Sequence, residues 1–373
     1  MAQKAKAAGT VPQVSRKELL KMHNDYEKAA KAADLVYVSD AMPGIARVKK
    51  GKNFSYTFNG KALKSKSDLE RIKKLVLPPA WTDVWICPQH NGHIQATGID
   101  ARGRKQYKYH ADWHTLRHQT KFHRLYEFGK ALPKIREQLE KDINKRELCL
   151  EKVLATVISL IERTYIRIGN NGYEKLYGSY GLTTLKDNHV QIEGQKISFS
   201  FKGKKGIHHN ISIKNKRLAK TIQACRDIPG KELFQYIDEE GNRRSIDSGM
   251  VNDYIKNASG KDFTAKDFRT WAGSLNILWA FRCTGEPETT TECKKKVLQA
   301  LDEVSAKLGN SRTICKKYYV HPTLIKMYEE NSLFRYIENL DKLEEPDDVT
   351  GLTDAEKILM RILKSEQSTI AAN

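Results

Sequence analysis

The spacing of apolar residues changes along this chain, and the change separates two kinds of structure. Between residues 33 and 112, apolar and polar residues alternate in short runs separated by Gly-containing turns, as at 45–48 and 54–58. Beyond this part the apolar residues recur at intervals of three and four, as they do from 150 to 165. Alternation is typical of strands that bury one face, and the longer spacing is typical of helices. The sequence therefore predicts an α+β protein.

Composition and pattern together predict four segments. The first is rich in Ala and Lys and predicts a basic arm that passes into a helix near 16–32. The second predicts a small strand-rich domain, and the third a larger, mainly helical domain with a small three-stranded sheet at 181–214. The fourth predicts a helix behind a cap of Thr353 and Glu356. The predicted segments are 1–32, 33–112, 113–345 and 346–373.

Individual elements can be placed within these segments. Strands are predicted at 35–38, 45–48, 54–58, 84–86, 93–98 and 101–110. Helices are predicted at 247–257, at 265–281 behind Thr264 and Asp267, and at 291–308. Ser67-Asp68-Leu69-Glu70 matches a capping box, so we expect a short helix to begin there and to end before Pro78-Pro79.

The charge of the chain points to a polyanionic partner. Its 65 Lys and Arg residues outnumber its 45 Asp and Glu residues, which gives a formal net charge of +20. Residues 1–110 hold 21 basic and 9 acidic residues, whereas residues 321–373 hold 6 basic and 11 acidic residues. Nucleic acid is the leading candidate for the partner. We expect the N-terminal part to touch it and the C-terminal tail to face away.

Several classes of protein are excluded by what the sequence lacks. It has no apolar run of membrane-spanning length and no apolar N-terminal signal stretch, so we expect no membrane partner. Six scattered cysteines without zinc-type spacing indicate reduced thiols, no metal site and a cytoplasmic location. Neither a Walker loop, a GxGxxG turn nor an acidic metal cluster occurs. Any phosphate chemistry must therefore run on side chains, without a cofactor.

A short basic stretch near the C-terminal end carries candidate nucleophiles. We expect Gly309 and the capping-type Asn310 to open a brief helix that a His-Pro pair closes, with Tyr318 and Tyr319 at its end. A tyrosine oxygen beside cations can attack a phosphodiester, because positive charge stabilises both the phenolate and the transition state. The alternative is that both tyrosines are ordinary amphipathic helix residues.

A second basic stretch, residues 101–110, interleaves cations with aromatic residues. If it is a strand, Gln106 and Lys108 lie on one face and Tyr107 and Tyr109 on the other. Basic side chains there would meet phosphates, and Gln or Tyr would meet base edges or sugars. A solvated edge strand is the alternative, because edge strands are often rich in Lys.

Three further cations are candidates for holding a phosphate. Arg167 ends a helix just before Gly169, where it either complements the helix dipole or binds a phosphate with two donors. Lys204 lies in a tight turn between two strands, where it is either solvated or projects into a groove. Arg269 lies in the first turns of a helix, near the positive end. It needs an anion there, either a phosphate or a carboxylate such as that of Asp267.

The order of these motifs is more specific than any one of them. The chain carries, in this order, Ile166-Arg167-Ile168-Gly169, Gly181-Leu182-Thr183-Thr184-Leu185-Lys186, the turn lysine Lys204, Asp267-Phe268-Arg269-Thr270, and Gly309-Asn310 followed by Tyr319. Upstream it carries Gly103-Arg104 and Gln106-Tyr107-Lys108-Tyr109. With these motifs the sequence resembles the type IB DNA topoisomerases, in the compact form of bacteria and poxviruses, over essentially residues 35–345.

The resemblance implies a site for cutting and rejoining one DNA strand. It implies Tyr319 as the nucleophile rather than Tyr318, Arg167, Arg269 and Asn310 as phosphate ligands, and Lys204 as the general acid. It implies DNA contacts from Arg104, Gln106, Tyr107, Tyr109, Tyr173 and Lys186. The poxvirus-type enzymes have His at the position of Asn310; Asn can donate a hydrogen bond but cannot move a proton. Arg312 is a candidate source of the missing charge.

The implied reaction forms a 3′-phosphotyrosyl ester, allows the free strand to rotate and rejoins it, relaxing supercoils of both signs without ATP or metal. We expect a monomer with the catalytic fold of the tyrosine recombinase/type IB topoisomerase kind. It would close as a clamp around duplex DNA, preferably supercoiled, in the bacterial cytoplasm (nucleoid). Two alternatives stay open: a tyrosine site-specific recombinase and a noncatalytic DNA-binding protein. Recombinases usually carry His-x-x-Arg where this chain has Asp267-Phe268-Arg269.

Overall fold

The structure, a computed structural model, describes residues 26–51, 53–101, 103, 105–343 and 350–372. The chain forms two compact units, one that ends at Arg124 and one that begins at Leu125. The boundary falls inside a long helix. The predicted basic arm lies mostly outside the described residues, and only its last part is seen, as a helix from Tyr26 to Ala32.

The first unit is built on a six-stranded antiparallel sheet. Its elements are α1 (Tyr26–Ala32), β1 (Ile45–Lys50), β2 (Asn53–Phe58), β3 (Lys61–Ala62), α2 (Lys66–Lys74), β4 (Thr82–Ile86), β5 (Ile94–Ile99) and β6 (Lys105–Tyr109). The strand order is β3-β2-β1-β4-β5-β6. Ile45, Val84, Ile86 and Ala96 pack with Ile72 of α2 in one apolar cluster. Burial of this one face fixes the register, because a slip of one residue would expose it.

A second apolar cluster of the first unit joins α1 to the start of the long helix α3 (Ala111–Ile143). Ala29, Ala30 and Leu35 pack there with Trp113 and Leu116. Small residues on α1 allow the Trp113 ring to approach that helix closely.

The second unit is mainly helical. After α3 it contains α4 (Leu150–Thr164), α5 (Asn171–Tyr177), β7 (Val190–Glu193), β8 (Lys196–Lys202), β9 (His208–Lys214), α6 (Lys216–Arg226), β10 (Gln235–Ile237), β11 (Arg243–Ser245), α7 (Ser248–Ser259), α8 (Ala265–Thr284), α9 (Thr290–Leu308), α10 (Arg312–Tyr318), α11 (Pro322–Glu329), α12 (Phe334–Ile337) and α13 (Asp354–Ala372). None of the helices among the described residues combines the length and apolar character needed to cross a membrane.

Helix α8 lies at the centre of the second unit. Phe268, Trp271, Ile277 and Phe281 are all buried, although they project to different sides of the helix. Helices α4, α7, α9, α11, α12 and α13 pack around it. A helix that is apolar all round has to be covered all round. Arg269 and Asn276, two polar residues of α8, are accordingly buried.

The three-stranded sheet predicted at 181–214 is present, in the order β7-β8-β9 with antiparallel pairing. Ile197, Phe199 and Phe201 alternate along β8 and are buried. The sheet packs against α6 through β8 and against α4 through β9. The turn between β8 and β9 contains the short 3₁₀ segment Lys204–Gly206.

Most of the predicted strands and helices are confirmed within one to three residues, but two local predictions are wrong. Residues 35–38 form no strand; only Val36 makes a single bridge, to Gly92, and its neighbour Tyr37 is 42% exposed. Helix α2 is capped by Ser65, whose hydroxyl accepts from the Asp68 amide at 3.3 Å, and not by Ser67. Both serines precede acidic residues by three positions, so sequence spacing alone does not separate them.

Candidate active site

The two motifs around Arg167 fold against each other at the end of α4. Tyr165 ends this helix in the left-handed conformation, with φ of 57°. The chain then pairs with residues 181–184, and the Leu182 amide donates to the Arg167 carbonyl at 2.9 Å. A Cβ on Gly181 would lie 2.5 Å from that carbonyl oxygen. The glycine therefore allows the close approach that fixes the backbone of Arg167.

Arg167 meets the loop that precedes α10. Its Nη2 donates to the Gly309 carbonyl at 3.0 Å and to Oδ1 of Asn310. The expectation that Asn310 caps α10 is wrong, because Ser311 occupies the N-cap position. A charged guanidinium donor attracts the amide oxygen more strongly than a backbone amide does. This contact also fixes the amide orientation, and Nδ2 of Asn310 is buried with no hydrogen-bond partner among the described residues.

Arg269 is 4% exposed and extends from α8. The carboxylate of Asp267 does not pair with it, since Asp267 accepts from the amide and hydroxyl of Thr264 at the helix start. Arg269 instead donates to two backbone carbonyls, those of Tyr165 and of Leu308, the second at 2.7 Å. Its Nε is buried and has no hydrogen-bond partner among the described residues. Arg269 thus ties together the segments that carry Arg167 and Asn310.

Tyr319 lies beside this cluster. The guanidinium carbon of Arg269 is 5.1 Å from the centroid of the Tyr319 ring, which is within the range of a cation–π contact. Burial lowers the pKa of Arg269, and the neighbouring Tyr319 opposes this through its charge and a side-chain hydrogen bond. Tyr318 points elsewhere, with its ring centroid 5.4 Å from Nζ of Lys317. Of the two adjacent tyrosines, Tyr319 is the one beside the buried arginine.

The backbone of Tyr319 rests directly on α8. A Cβ on Gly273 would lie 2.5 Å from the Tyr319 carbonyl oxygen and 2.9 Å from its Cβ. The hydroxyl of Ser274, which is completely buried, donates to the same carbonyl at 3.3 Å. Four residues separate Arg269 from Gly273, so both lie on one side of α8. The helix therefore sets the position of the tyrosine relative to the arginine.

Lys204 lies in the turn between β8 and β9, and the residue taken as a whole is exposed to solvent. Its pKa is lowered, first by desolvation of the ammonium and then by the charge of Arg167; the charge of Tyr319 acts in the opposite direction. Both charge contributions indicate that the ammonium lies near the same cluster. A lysine with a lowered pKa is a better proton donor near neutral pH.

The cluster carries a concentrated positive charge. Burial and repulsion from Arg269 lower the pKa of Arg167 to about 10. Within the described part of the chain, neither arginine forms an ion pair with a carboxylate; both donate to backbone carbonyls, and Arg167 also to the amide oxygen of Asn310. Among the same residues, no group of three or more His, Cys, Asp and Glu is arranged to hold a metal. An anionic group is therefore the natural occupant of this centre.

His209 belongs to this centre and was not identified from the sequence. A Cβ on Gly203 would lie 2.6 Å from its ring, and a Cβ on Gly309 would lie 2.3 Å from it. The ring also stacks on Phe201, with centroids 5.1 Å apart. Burial, followed by the charges of Arg167 and other cations, lowers the pKa of His209, so the ring is neutral near pH 7. The only signal in the sequence is a glycine in each of the two loops that contact the ring.

The predicted DNA-contact residues have mixed surroundings. Tyr107 and Tyr109 share one face of β6, with ring centroids 5.9 Å apart, and Tyr107 is 45% exposed. Gln106 donates to Asp100 at 2.9 Å. Lys186 lies 2.8 Å from a Glu174 oxygen and 3.2 Å from a Glu232 oxygen, so a phosphate would have to displace these partners. Arg104 and the side chain of Tyr173 lie outside the described residues.

The suggestion that Arg312 supplies charge to the centre is wrong. Nε and Nη2 of its guanidinium both donate to the carboxylate of Asp302 on the exposed surface of α9. Arg312 and Asp302 are ten positions apart across the α9–α10 turn, so their pairing reads as a surface contact between two helices.

Comparison with known families identifies the class of protein. The model of the eukaryotic DNA topoisomerase I catalytic core matches residues 110–345, which is more than half of the chain. The model of the bacterial DNA topoisomerase IB N-terminal domain matches residues 53–100. The chain is therefore a DNA topoisomerase, an isomerase that acts on DNA. It belongs to the type IB family, in the compact form of viruses and bacteria, and the main prediction from the sequence is confirmed.

Individual relatives agree with this assignment. The chain is 33% identical over 338 residues to DNA topoisomerase 1B of Acanthamoeba polyphaga mimivirus, an alignment that covers 88% of this chain and 97% of the relative. It is 25% identical over 272 residues to DNA topoisomerase I of monkeypox virus, covering 70% of this chain and 82% of the relative. DNA topoisomerase 1B of vaccinia virus (strain Western Reserve) matches to the same extent.

Proposed function

We propose that Tyr319 is the nucleophile of this topoisomerase and that Arg167, Arg269 and Asn310 bind the scissile phosphate. The observation that carries the proposal is the position of the Tyr319 ring, 5.1 Å from the buried guanidinium of Arg269. Support comes from Arg167 and Asn310, which are in direct contact and leave Nδ2 of Asn310 without a partner among the described residues. The end of α4, helix α8 and the segment around α10 thus bring these four side chains together.

The proposed reaction is a transesterification. Oη of Tyr319 attacks phosphorus, a P–O bond to tyrosine forms, and the bond to the 5′ oxygen breaks. The phenol loses a proton, and Lys204 gives one to the departing 5′ oxygen. The free 5′ hydroxyl reverses the step after the strand has rotated. Because the ester retains the bond energy, religation needs no ATP.

The arginines and Asn310 act on the transition state. Negative charge builds on the nonbridging oxygens as the fifth bond forms, and donors already in place stabilise it without reorganisation. Removal of one such donor costs about 10²–10³ in rate. Asn310 contributes a hydrogen bond but no charge, so the two guanidinium groups carry the electrostatic part.

The proposal also covers the two domains of the chain, their contacts with DNA and the location of the protein. We expect residues 113–345 to form a catalytic domain of the tyrosine recombinase/type IB kind, and residues 33–112 to close on duplex DNA through Arg104, Gln106, Tyr107 and Tyr109. Tyr173 and Lys186 would add contacts from the catalytic domain. We also expect a bacterial monomer that acts preferably on supercoiled DNA in the cytoplasm, at the nucleoid; the net charge of +20 supports the DNA partner.

The test compares two single-atom changes at adjacent positions. Tyr319→Phe should abolish relaxation of supercoiled plasmid and covalent capture of DNA after denaturation, while gel-shift affinity persists. Tyr318→Phe is the matched control and should keep both activities. Capture that survives in Tyr319→Phe would remove this residue from its proposed role. Relaxation of a plasmid of arbitrary sequence, without Mg²⁺ or ATP, separates the topoisomerase from a site-specific recombinase.

A further inference from the structure

The turn that follows Tyr319 is held from the side of α8 by one hydroxyl group. Ser274 donates to the Tyr319 carbonyl at 3.3 Å and accepts from the His321 amide at 3.1 Å. Ser274 is completely buried. The backbone on both sides of Val320 is therefore fixed to the helix that carries Arg269.

The same turn is held from the opposite direction by α13. Nδ1 of His321 accepts from the Thr323 amide at 3.3 Å, which places the ring proton on Nε2. Nε2 faces the carboxylate of Glu366 on α13, at 3.5 Å. The hydroxyl of Thr323 donates to the other oxygen of that carboxylate. The His321 side chain is 5% exposed, so water competes little for the contact.

A second carboxylate anchors the other part of α13. Glu356 accepts from Nε1 of Trp271 at 2.9 Å and from Arg136 through both oxygens, at 2.8 and 2.9 Å. Arg136 also contacts Glu162 of α4 at 2.7 Å. Trp271 lies two positions after Arg269 on α8. Along a helix, Glu356 and Glu366 are separated by about 15 Å.

Helix α13 is part of the core of the second unit. Ile358, Leu359, Ile362 and Leu363 are all buried in the main apolar cluster. The predicted helix behind a cap of Thr353 and Glu356 is confirmed. The match to the eukaryotic catalytic core ends at residue 345, before this helix begins. The family resemblance therefore gives α13 no role, although it packs on α8.

We propose that Glu366 is a positioning residue for DNA cleavage. It fixes the turn that follows Tyr319, which contains His321. Through this turn it fixes the position of the Tyr319 ring relative to Arg269. Helix α13 then holds both parts of the site in place. Its Glu356 contacts Trp271 on the helix that carries Arg269, and its Glu366 contacts the turn that follows Tyr319. The inference rests on the proposed role of Tyr319 as the nucleophile.

The physical reason is the tight geometry of attack. Reacting atoms must lie about 3–3.5 Å apart, and a misplacement of about 1 Å can cost about 10² in rate. Loss of the Glu366 carboxylate leaves the buried His321 N–H and the Thr323 hydroxyl without their acceptor. The turn can then relax away from its present position on the side that faces α13, while the Ser274 hydroxyl still holds it from α8.

The experiment separates positioning from stability. Glu366→Ala, Glu366→Gln and the control Lys357→Ala are compared in single-turnover cleavage of a short duplex, in DNA affinity on a Tyr319→Phe background, and in thermal melting. Lys357 lies on the exposed side of α13 and pairs with Asp354 at 2.8 Å. We expect Glu366→Ala to cleave roughly 10- to 100-fold more slowly, with affinity unchanged. Glu366→Gln, which keeps the size and the acceptor for Thr323, should lose less, and the control should match the wild type.

Two outcomes would overturn the inference. One is a wild-type cleavage rate in both Glu366 variants at a temperature where they are folded. The other is a loss of rate that follows the loss of folded protein alone. If Glu366→Ala does not fold, a wild-type rate in Glu366→Gln is decisive in the same sense. A wild-type adduct that maps to a residue other than Tyr319 would instead overturn the proposed function.

Discussion

Gly273→Ala should slow DNA cleavage about 100-fold while lowering the stability of the fold by no more than about 2 kcal/mol. Gly273 lies inside α8, where the backbone of Tyr319 passes directly over it. A Cβ there would lie 2.5 Å from the Tyr319 carbonyl oxygen and 2.9 Å from its carbonyl carbon. Backbone atoms cannot swing away as a side chain does, so the turn itself has to move.

The displacement can be worked out from these contacts. Ordinary van der Waals contact begins at 3.4 Å, so the carbonyl oxygen has to retreat by about 0.9 Å from its present 2.5 Å. Overpacking of this kind costs about 1–3 kcal/mol. Replacement of Gly by Ala inside a helix returns about 1 kcal/mol. The net loss of stability is then about 0–2 kcal/mol, whereas a shift of this size in the nucleophile costs about 10² in rate.

Single-turnover capture of a DNA duplex measures the rate, and thermal melting measures the stability. Gly249→Ala is a matched control, because a Cβ on that helical glycine would meet only the end of the Asp247 side chain, at 3.0 Å. The control should cleave at the wild-type rate. If Gly273→Ala also cleaves at that rate, the contact with α8 does not set the position of Tyr319.

Two further predictions concern Lys204, in the turn between β8 and β9, and His209, whose ring lies between Gly203 and Gly309. Because the pKa of Lys204 is lowered, the acid form is lost, and cleavage slows, as the pH rises through a value below the usual range of lysine. Lys204→Ala should recover near wild-type cleavage on a duplex with a sulfur leaving group at the 5′ position, and a lack of recovery contradicts the acid role. His209→Ala should reduce cleavage by about 10-fold without changing DNA affinity, since it removes the ring between Gly203 and Gly309; equal single-turnover rates in variant and wild type would show that the ring is dispensable.

The helices and strands could be predicted from the sequence to a different degree than the residues of the candidate site, and for a different reason. Strands such as β8 and helices such as α9 follow from local periodicity, because burial of one face imposes it. Arg167, Arg269 and Tyr319 were selected by the order of motifs in a resemblance, and the fold places them in one cluster. Periodicity alone could not have joined them, since they come from α8, the end of α4 and the turn after α10.

The residues that sequence reasoning missed act through contacts over long sequence separations. His209 is recognised only when the loops of Gly203 and Gly309 are seen on either side of its ring. In the sequence, Glu366 is one acidic residue of a helix and nothing marks it. Its contact with His321 becomes visible only in the fold. Asn310 was expected to cap a helix, because its local spacing allows that role equally well. In the fold, the amide oxygen of Asn310 accepts from the distant Arg167 instead. No local sequence pattern contains that partner.

The two carbonyls that hold Arg269 come from the C-terminal ends of helices, Tyr165 after α4 and Leu308 in the last turn of α9. Helix C-termini carry partial negative charge, which steadies a guanidinium group without neutralising it. Among the residues that the structure describes, no carboxylate pairs with Arg269. Under the proposed role of Arg269, the scissile phosphate is then the first full negative charge to reach this buried cation, so its charge is neutralised only when the bond to be cut is in place.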